Sequence, residues 1–193
     1  MKHFLKLMAV AVVATSLSGC KSKADSNVAQ QPDKRALVCY FSATGNTRAD
    51  AERIARITSA DIFVIEPQEE YTDADLDWTN DNSRSSIEMH DLSSRPAIKA
   101  VPENIADYDI VFIGFPNWWD MPPTLINTFI DQVDLSGKSV VPFMTSGSST
   151  IDNSEKKLHE DYPNLKWEKG LRTTGSSEKQ LSEWINPILY PEK

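Results

Sequence analysis

Residues 36–48 read Ala-Leu-Val-Cys-Tyr-Phe-Ser-Ala-Thr-Gly-Asn-Thr-Arg, an apolar run followed at once by a turn of small polar residues. The six apolar residues at 36–41 are typical of a strand that is buried on both faces, as in a parallel sheet. Apolar residues at 51, 54, 55 and 57 then recur near helical spacing, which predicts an amphipathic helix. A turn between such a strand and a helix N-terminus makes an anion site, because free backbone N–H groups and the helix dipole both attract negative charge.

The residues of this turn restrict the kind of anion. No Lys follows Gly45, as the Walker A pattern requires, and the G-x-G-x-x-G dinucleotide pattern is missing. A phosphate held only by hydroxyl and amide groups suits a mononucleotide. The candidate phosphate ligands are Ser42, Thr44, Gly45, Asn46 and Thr47. The alternative is an ordinary tight turn with a helix cap, where Thr and Asn are also favoured.

The run Ser42–Thr47 resembles the S/T-x-T-G-x-T phosphate loop of flavodoxins, which carry FMN. The resemblance covers about residues 36 to 189. It implies a flavodoxin-like, doubly wound α/β fold with a five-stranded parallel sheet of order 2-1-3-4-5 and helices on both faces. In that family the cofactor lies beyond the carboxyl ends of the strands, a rule for which flavodoxin itself is a standard example.

The remaining pattern alternates strands and helices, which agrees with such a sheet. Apolar runs predict further strands at residues 61–65, 109–115, 138–145 and, weakly, 165–171. Pro142 removes a ladder donor and so predicts a local irregularity in its strand. Helices are predicted around residues 73–79, 83–90, 150–160 and 175–189, and after the Pro122-Pro123 pair. Forty residues, 66–105, make an unusually long connection, which suggests a functional excursion.

Two later loops follow strands 3 and 4 and therefore lie at the same sheet edge as the first. One contains adjacent tryptophans in a Pro-rich segment, and we expect one of the two to pack in the core and the other to bind a flat heterocycle. The resemblance implies flavin contacts from Pro116, Asn117, Trp118 and Trp119, and from Ser146, Gly147 and Ser148. Many family members place an aromatic residue in the last loop. Its absence here leaves one flavin face open, unless Tyr71, Trp78 or a second subunit covers it.

Three functions are compatible with these residues. The first is an FMN-binding redox protein that transfers electrons to a partner protein. The second is an NAD(P)H-dependent FMN reductase or quinone-type oxidoreductase that serves a small acceptor. The third is a flavin-free lipoprotein that uses the flavodoxin fold for binding. No acid–base catalytic residue is predicted, because the flavin carries the redox chemistry.

The beginning of the chain resembles a bacterial lipoprotein leader. Lys2 and Lys6 precede a short apolar run, and Leu17-Ser18-Gly19-Cys20 resembles a lipobox. We therefore expect residues 1–19 to be a signal peptide, Cys20 to be lipidated, 20–35 to be a flexible tether and 36–193 to be the FMN-binding domain. Lys21 fits sorting to the outer membrane, so the expected location is the periplasmic face of that membrane.

Composition excludes several other classes. The formal net charge of −8 argues against nucleic-acid binding. With Cys20 lipidated, Cys39 has no disulfide partner and is expected to be a buried, inert thiol. The three histidines are scattered at 3, 90 and 159, and no metal site is predicted.

Overall fold

The computed structural model describes residues 34–191. The predicted signal peptide, Cys20 and most of the predicted tether lie outside these residues. The strands are β1 (Ala36–Tyr40), β2 (Asp61–Val64), β3 (Ile110–Pro116), β4 (Ser139–Thr145), β5 (Lys166–Trp167) and β6 (Leu171–Arg172). The helices are α1 (Asn46–Thr58), α2 (Arg84–His90), α3 (Thr124–Gln132), α4 (Asp152–Asp161) and α5 (Glu178–Leu189).

The sheet has the predicted order β2-β1-β3-β4-β5, and every pairing between these strands is parallel. Helices α1 and α5 cover one face, and α3 and α4 cover the other. Strand β1 is buried throughout because both faces are covered, which explains its uninterrupted apolar sequence. Cys39 is fully buried there, and burial raises the pKa of its thiol. Within residues 34–191, no helix is long and apolar enough to cross a membrane.

The predicted fifth strand is divided in two. Strands β5 and β6 both pair with β4. Between the two pairings, three residues of the chain, 168–170, lie opposite only two residues of β4, 141 and 142, so the fifth strand is interrupted there. Pro142 has no N–H to donate at this point. A Cβ on Gly170 would lie 2.6 Å from the Pro142 carbonyl oxygen, so only glycine fits there. The predicted irregularity therefore occurs in the neighbouring strand, which is divided into β5 and β6, whereas β4 itself is continuous.

The 66–105 excursion contains one of its two predicted helices. The prediction of α2 is confirmed, and the Ser83 side chain caps its first turn by accepting from Ser86 N. The helix predicted at 73–79 is wrong, since this segment consists of turns. Thr72 and Asp75 hydrogen-bond each other's backbone N–H groups, and side chains of this kind compete with the helical pattern.

Candidate functional site

The first loop, residues 41–47, presents free backbone donors at the start of α1. Ser42 Oγ accepts from Gly45 N at 3.1 Å and from Arg48 N at 3.2 Å, which holds the loop closed. Gly45 has φ 87°, and a Cβ there would meet no atom within 4 Å. Within residues 34–191, the N–H groups of Asn46 and Thr47 donate to no acceptor. These orphan donors at a helix N-terminus fit an anion.

The side chains of this loop divide between the surface and the interior. Thr44 and Asn46 are exposed, and Asn46 Nδ2 lies 3.3 Å from Thr44 Oγ1. Thr47 is only 1% exposed, and its hydroxyl lies 2.8 Å from the Thr145 hydroxyl. The Thr47 side chain therefore ties the first loop to the end of β4 and does not face the cleft.

The second loop, residues 116–123, turns sharply at its tryptophans. Trp118 N donates to Met121 O at 3.0 Å and Met121 N donates to Trp118 O at 2.9 Å. The two residues between them, Trp119 and Asp120, have φ values of 47° and 64°. This geometry is that of a type I′ turn, which Asn and Gly normally occupy. The Asp120 carboxylate accepts from Asn153 Nδ2 and so anchors the turn to α4. Left-handed backbone of this kind is strained and is concentrated at functional sites.

The two tryptophans have different environments, as expected. Trp118 packs against the core and makes edge contacts with Phe41 and Tyr71, at centroid distances of 5.7 and 5.2 Å. Trp119 is 40% exposed. The expectation that one of the pair packs beneath the loop is thus confirmed for Trp118.

A half-buried cluster fixes the 66–105 excursion against the tryptophan loop. Tyr71 donates to Glu88 Oε2 at 2.5 Å, and Arg84 Nε donates to Glu88 Oε1 at 2.7 Å. The Arg84 guanidinium also lies 4.0 Å from the Tyr71 ring centroid. Burial and the hydrogen bond to the Glu88 carboxylate raise the pKa of Tyr71, so its hydroxyl keeps its proton above the pH at which a free tyrosine loses it. Tyr71, held by Glu88 and Arg84, therefore packs against the Trp118 ring and stabilises its position. The sequence analysis did not predict this role.

The third loop, residues 146–149, is held in place by β6 and the segment after it. Arg172 Nη2 donates to the carbonyl oxygens of Ser146 and Gly147 at 2.9 and 3.0 Å. Ser146 N donates to Thr174 Oγ1 at 3.0 Å. The segment that follows β6 therefore forms a fourth side of the site, and it is absent from the sequence-based prediction.

These loops enclose a cleft of about 550 Å³ at the carboxyl edge of the sheet. Seven predicted residues line it: Thr44, Asn46, Pro116, Asn117, Trp118, Ser146 and Gly147. Five predicted residues lie outside its lining: Ser42, Gly45, Thr47, Trp119 and Ser148. Five further residues join it: Ala49, Asp50, Thr145, Thr174 and Gly175. The helical spacing from Asn46 to Ala49 and Asp50 is the signal that could have identified the two residues of α1.

One buried acceptor of the cleft has no partner. Asn117 Oδ1 is one of two buried side-chain polar atoms in residues 34–191 that make no hydrogen bond. A buried acceptor left unsatisfied costs about 1–3 kcal/mol, so a ligand that donates a hydrogen bond to it gains this amount. Asn117 N is already bound to Thr145 O at 2.8 Å, which holds the residue in position.

The charges at the cleft are compensated within the protein. Asp50 is 8% exposed and pairs with Arg53 Nη1 at 2.9 Å. Arg53 Nη2 also donates to Ser176 O at 2.6 Å. Among the described residues, the cleft lining contains no Lys, Arg or His, so an anion there depends on the α1 N-terminus. The described residues contain no group of three or more His, Cys, Asp or Glu that could hold a metal ion.

The cleft fits a phosphorylated heterocycle. Its donors at the α1 N-terminus suit a phosphate, Pro116 and Trp118 supply flat apolar surface, and Asn117 Oδ1 suits a ring N–H. The residues of the first loop would hold the phosphate, and those of the second and third loops would hold the ring.

Three comparisons place the chain among known proteins. It is 48% identical to a candidate flavoprotein of known structure from Bacteroides eggerthii, with a TM-score of 0.80 over 83% of this chain and 100% of that one. It is 24% identical to a Lactobacillus acidophilus flavoprotein solved in complex with FMN, with a TM-score of 0.64 over 78% and 98% of the two chains. It is also 25% identical to the uncharacterized NAD(P)H oxidoreductase YcaK of Escherichia coli (strain K12), over 72% of this chain and 68% of that one.

The flavodoxin family profile matches residues 35–188, which include all the strands and the whole cleft. The match agrees with the observed strand order and with the position of the cleft at the carboxyl edge of the sheet. The chain therefore belongs to the flavodoxin family.

Proposed function

We propose that this protein binds FMN in the 550 Å³ cleft and transfers electrons through the bound flavin. The observation that carries the proposal is that one cleft combines orphan N–H donors at the α1 N-terminus with the unsatisfied acceptor Asn117 Oδ1. Bound FMN supplies the redox chemistry by accepting and returning electrons. The protein's part is to hold the phosphate at the α1 N-terminus, where the Asn46 N–H has no acceptor, to pack the ring against Trp118 and to accept a hydrogen bond from the ring at Asn117. The flavoprotein from Lactobacillus acidophilus, solved with FMN, supports this choice of cofactor.

FMN binding is tested by fluorescence titration of the purified full-length protein, together with the visible spectrum after desalting. Gly45→Asp places a carboxylate beside the proposed phosphate. Two like charges 4 Å apart repel by about 4 kcal/mol near a protein surface, so we expect FMN affinity to fall at least about tenfold.

Gly137→Asp is the matched control for this experiment. Gly137 also has a positive φ, of 74°, and no atom within 4 Å of a Cβ, but it precedes β4 at the opposite sheet edge. The two substitutions share their backbone strain and differ in distance from the cleft. Equal loss of FMN in both variants would mean that the loss reflects stability and that the phosphate loop is wrongly assigned. A native protein that takes up no FMN would leave the flavin-free binding protein as the function.

A second candidate is an NAD(P)H-dependent oxidoreductase. It is favoured by the third loop, where Ser146 and Gly147 line the cleft without an aromatic side chain to cover the ring. The relative from Escherichia coli named as an NAD(P)H oxidoreductase also supports it. Anaerobic mixing of the FMN-loaded protein with NADPH or NADH distinguishes the two candidates. Bleaching of the flavin band within seconds supports the reductase, and a stable oxidised spectrum leaves the electron carrier.

We also propose that the protein is anchored to the bacterial cell envelope, at the periplasmic face of the outer membrane, through a lipid on Cys20. The lipobox-like Leu17–Cys20 segment supports this location. Its partners are then a redox protein or a small acceptor, with membrane contact through the anchor only and no nucleic acid. Labelling with a radioactive fatty acid should mark the native protein and leave a Cys20→Ser variant unlabelled. Equal labelling of the two would refute the anchor.

A further inference from the structure

The proposed FMN cleft has lining residues that neither the phosphate nor the ring accounts for. Thr44 and Asn46 belong to the phosphate end, and the second and third loops form the ring end. The remaining lining residues are Ala49, Asp50, Thr145, Thr174 and Gly175. In FMN, a chain that carries hydroxyl groups joins the ring to the phosphate. Once both ends are bound, these five residues are the ones left to contact that chain.

Among the described residues that line the cleft, Asp50 is the one with a charged side chain. It lies one helical turn after Asn46 on α1, and side chains with this spacing have their Cβ atoms about 5–6 Å apart. A ligand with its phosphate at the α1 N-terminus therefore brings its next atoms close to the Asp50 carboxylate. A carboxylate in this place opposes an anionic ligand, unless hydrogen-bond donors of the ligand reach it. The hydroxyl groups of the chain are such donors.

The Asp50 side chain is held in one position. It is 8% exposed, and its Oδ1 accepts from Arg53 Nη1 at 2.9 Å. Arg53 Nη2 donates to Ser176 O at 2.6 Å, and Ser176 N donates to Thr173 O at 2.9 Å. Thr173 N in turn donates to Met144 O of β4 at 2.9 Å. Hydrogen bonds thus connect the carboxylate to the sheet, so it cannot turn away from the ligand without breaking them.

The other polar side chains among these five residues are already engaged. The Thr145 hydroxyl lies 2.8 Å from the Thr47 hydroxyl, and Thr174 Oγ1 accepts from Ser146 N at 3.0 Å. By contrast, no group within residues 34–191 donates to Asp50 Oδ2. This oxygen is also not among the buried atoms that are closed off without a partner. Asp50 Oδ2 is therefore an accessible acceptor at which a ligand hydroxyl replaces water.

We propose that Asp50 is a specificity-determining residue, whose carboxylate accepts a hydrogen bond from the hydroxylated chain between the flavin ring and the phosphate. A hydrogen bond from a hydroxyl to a carboxylate is charge-assisted and about twice as strong as a neutral one. The cleft thus selects a flavin with a hydroxylated chain over one with a plain alkyl chain. This inference rests on the proposed flavin site and names the ligand group that Asp50 recognises there.

The probes are riboflavin and a flavin analogue that carries a plain pentyl chain in place of the ribityl chain. The two share the ring and the chain length and lack the phosphate, so they differ only in the hydroxyl groups. Their affinities for the purified full-length protein are measured by titration of flavin fluorescence. We expect the native protein to bind riboflavin about fivefold more tightly than the pentyl analogue. Asp50→Asn keeps an oxygen for Arg53 and replaces Oδ2 by an amide nitrogen. We expect it to weaken riboflavin binding about fivefold and to leave binding of the pentyl analogue unchanged.

Glu52→Gln is the matched control. It removes a negative charge from the same helix two residues further on, but Glu52 is exposed and lies outside the cleft lining. This variant should bind both probes as the native protein does. The inference is overturned if Asp50→Asn binds riboflavin normally, if it loses both probes equally, or if Glu52→Gln loses as much riboflavin affinity. Should urea unfolding show that Asp50→Asn is not folded, the native protein decides, because equal affinity for the two probes overturns the inference.

Titration with FMN separates this inference from the proposed function. Tighter FMN binding by Asp50→Asn, with riboflavin binding unchanged, would mean that the carboxylate faces the phosphate and would overturn the inference. A native protein that binds FMN but does not distinguish the two probes refutes the role of Asp50 and leaves the proposed cofactor in place. A native protein that binds no flavin refutes the proposed cofactor and this inference together.

Discussion

Gly114, near the end of β3, has no space for a side chain. An ideal Cβ at this position would lie 2.1, 2.4 and 2.7 Å from three ring carbons of Phe143. Carbon atoms prefer separations of about 3.5–4.0 Å, so the ring must move by more than about 1 Å. Phe143 is fully buried in the core on the α1 and α5 side, where close packing leaves little room for movement. We therefore expect Gly114→Ala to destabilise the fold by about 1–3 kcal/mol.

Urea unfolding of the variant and the native protein measures this effect as a shift of the midpoint at constant slope. Phe143→Leu removes the ring edge that causes the clash. In the double variant Gly114→Ala/Phe143→Leu, the total loss should be smaller than the sum of the single losses by about 1 kcal/mol or more. Gly147→Ala is the control, since a Cβ there meets nothing within 4 Å and the backbone is not left-handed. A Gly114→Ala variant as stable as the control, or strict additivity in the double variant, would refute this reasoning.

Three further predictions concern stability. Gly45→Ala should cost about 1–2 kcal/mol in urea unfolding, because its φ of 87° is left-handed although no atom is close; a loss no greater than that of Gly147→Ala would contradict this. Glu88→Gln removes one charge of a half-buried ion pair at 2.7 Å and should lower the free energy of unfolding by about 1–3 kcal/mol. Glu160→Gln, in an exposed pair at 3.9 Å, should lower it by less than about 0.5 kcal/mol. Equal losses of stability in the two variants would refute the role of burial. Burial raises the pKa of Tyr162 to about 12, so the folded state favours the neutral phenol. The stability that this preference contributes is complete below the unfolded-state pKa of about 10. Stability should therefore fall as the pH rises from about 10 to 12, and Tyr162→Phe should flatten this fall in urea unfolding across that range; an unchanged slope would count against the assignment.

The local pattern of the sequence predicted most of the fold. The uninterrupted apolar run at 36–40 matches a strand covered on both faces, and the order of the five strand positions follows the flavodoxin resemblance. The helix at 73–79 was predicted wrongly because Thr72 and Asp75 bond to nearby backbone, and these local bonds outweighed the helical spacing. The division of the fifth strand depends on Gly170 meeting Pro142 of the neighbouring strand, which spacing along one segment does not encode.

The candidate site was predicted only in part, because local sequence pattern places its loops but does not determine which side chains meet. Strand–loop–helix order brings three loops to one sheet edge, so seven cleft residues could be named from sequence. Whether Thr47 faces the cleft or bonds to Thr145, 98 positions away, was decided by the packing of α1 against β4. The support of Trp118 by Tyr71 likewise depends on how the 66–105 excursion folds back onto the tryptophan loop. The sequence by itself determined the fold class and the loops that carry the site, because both depend on local periodicity and turn chemistry. The tertiary structure decided which side chains meet there, because burial and hydrogen-bond partners are set by contacts between residues far apart in the chain.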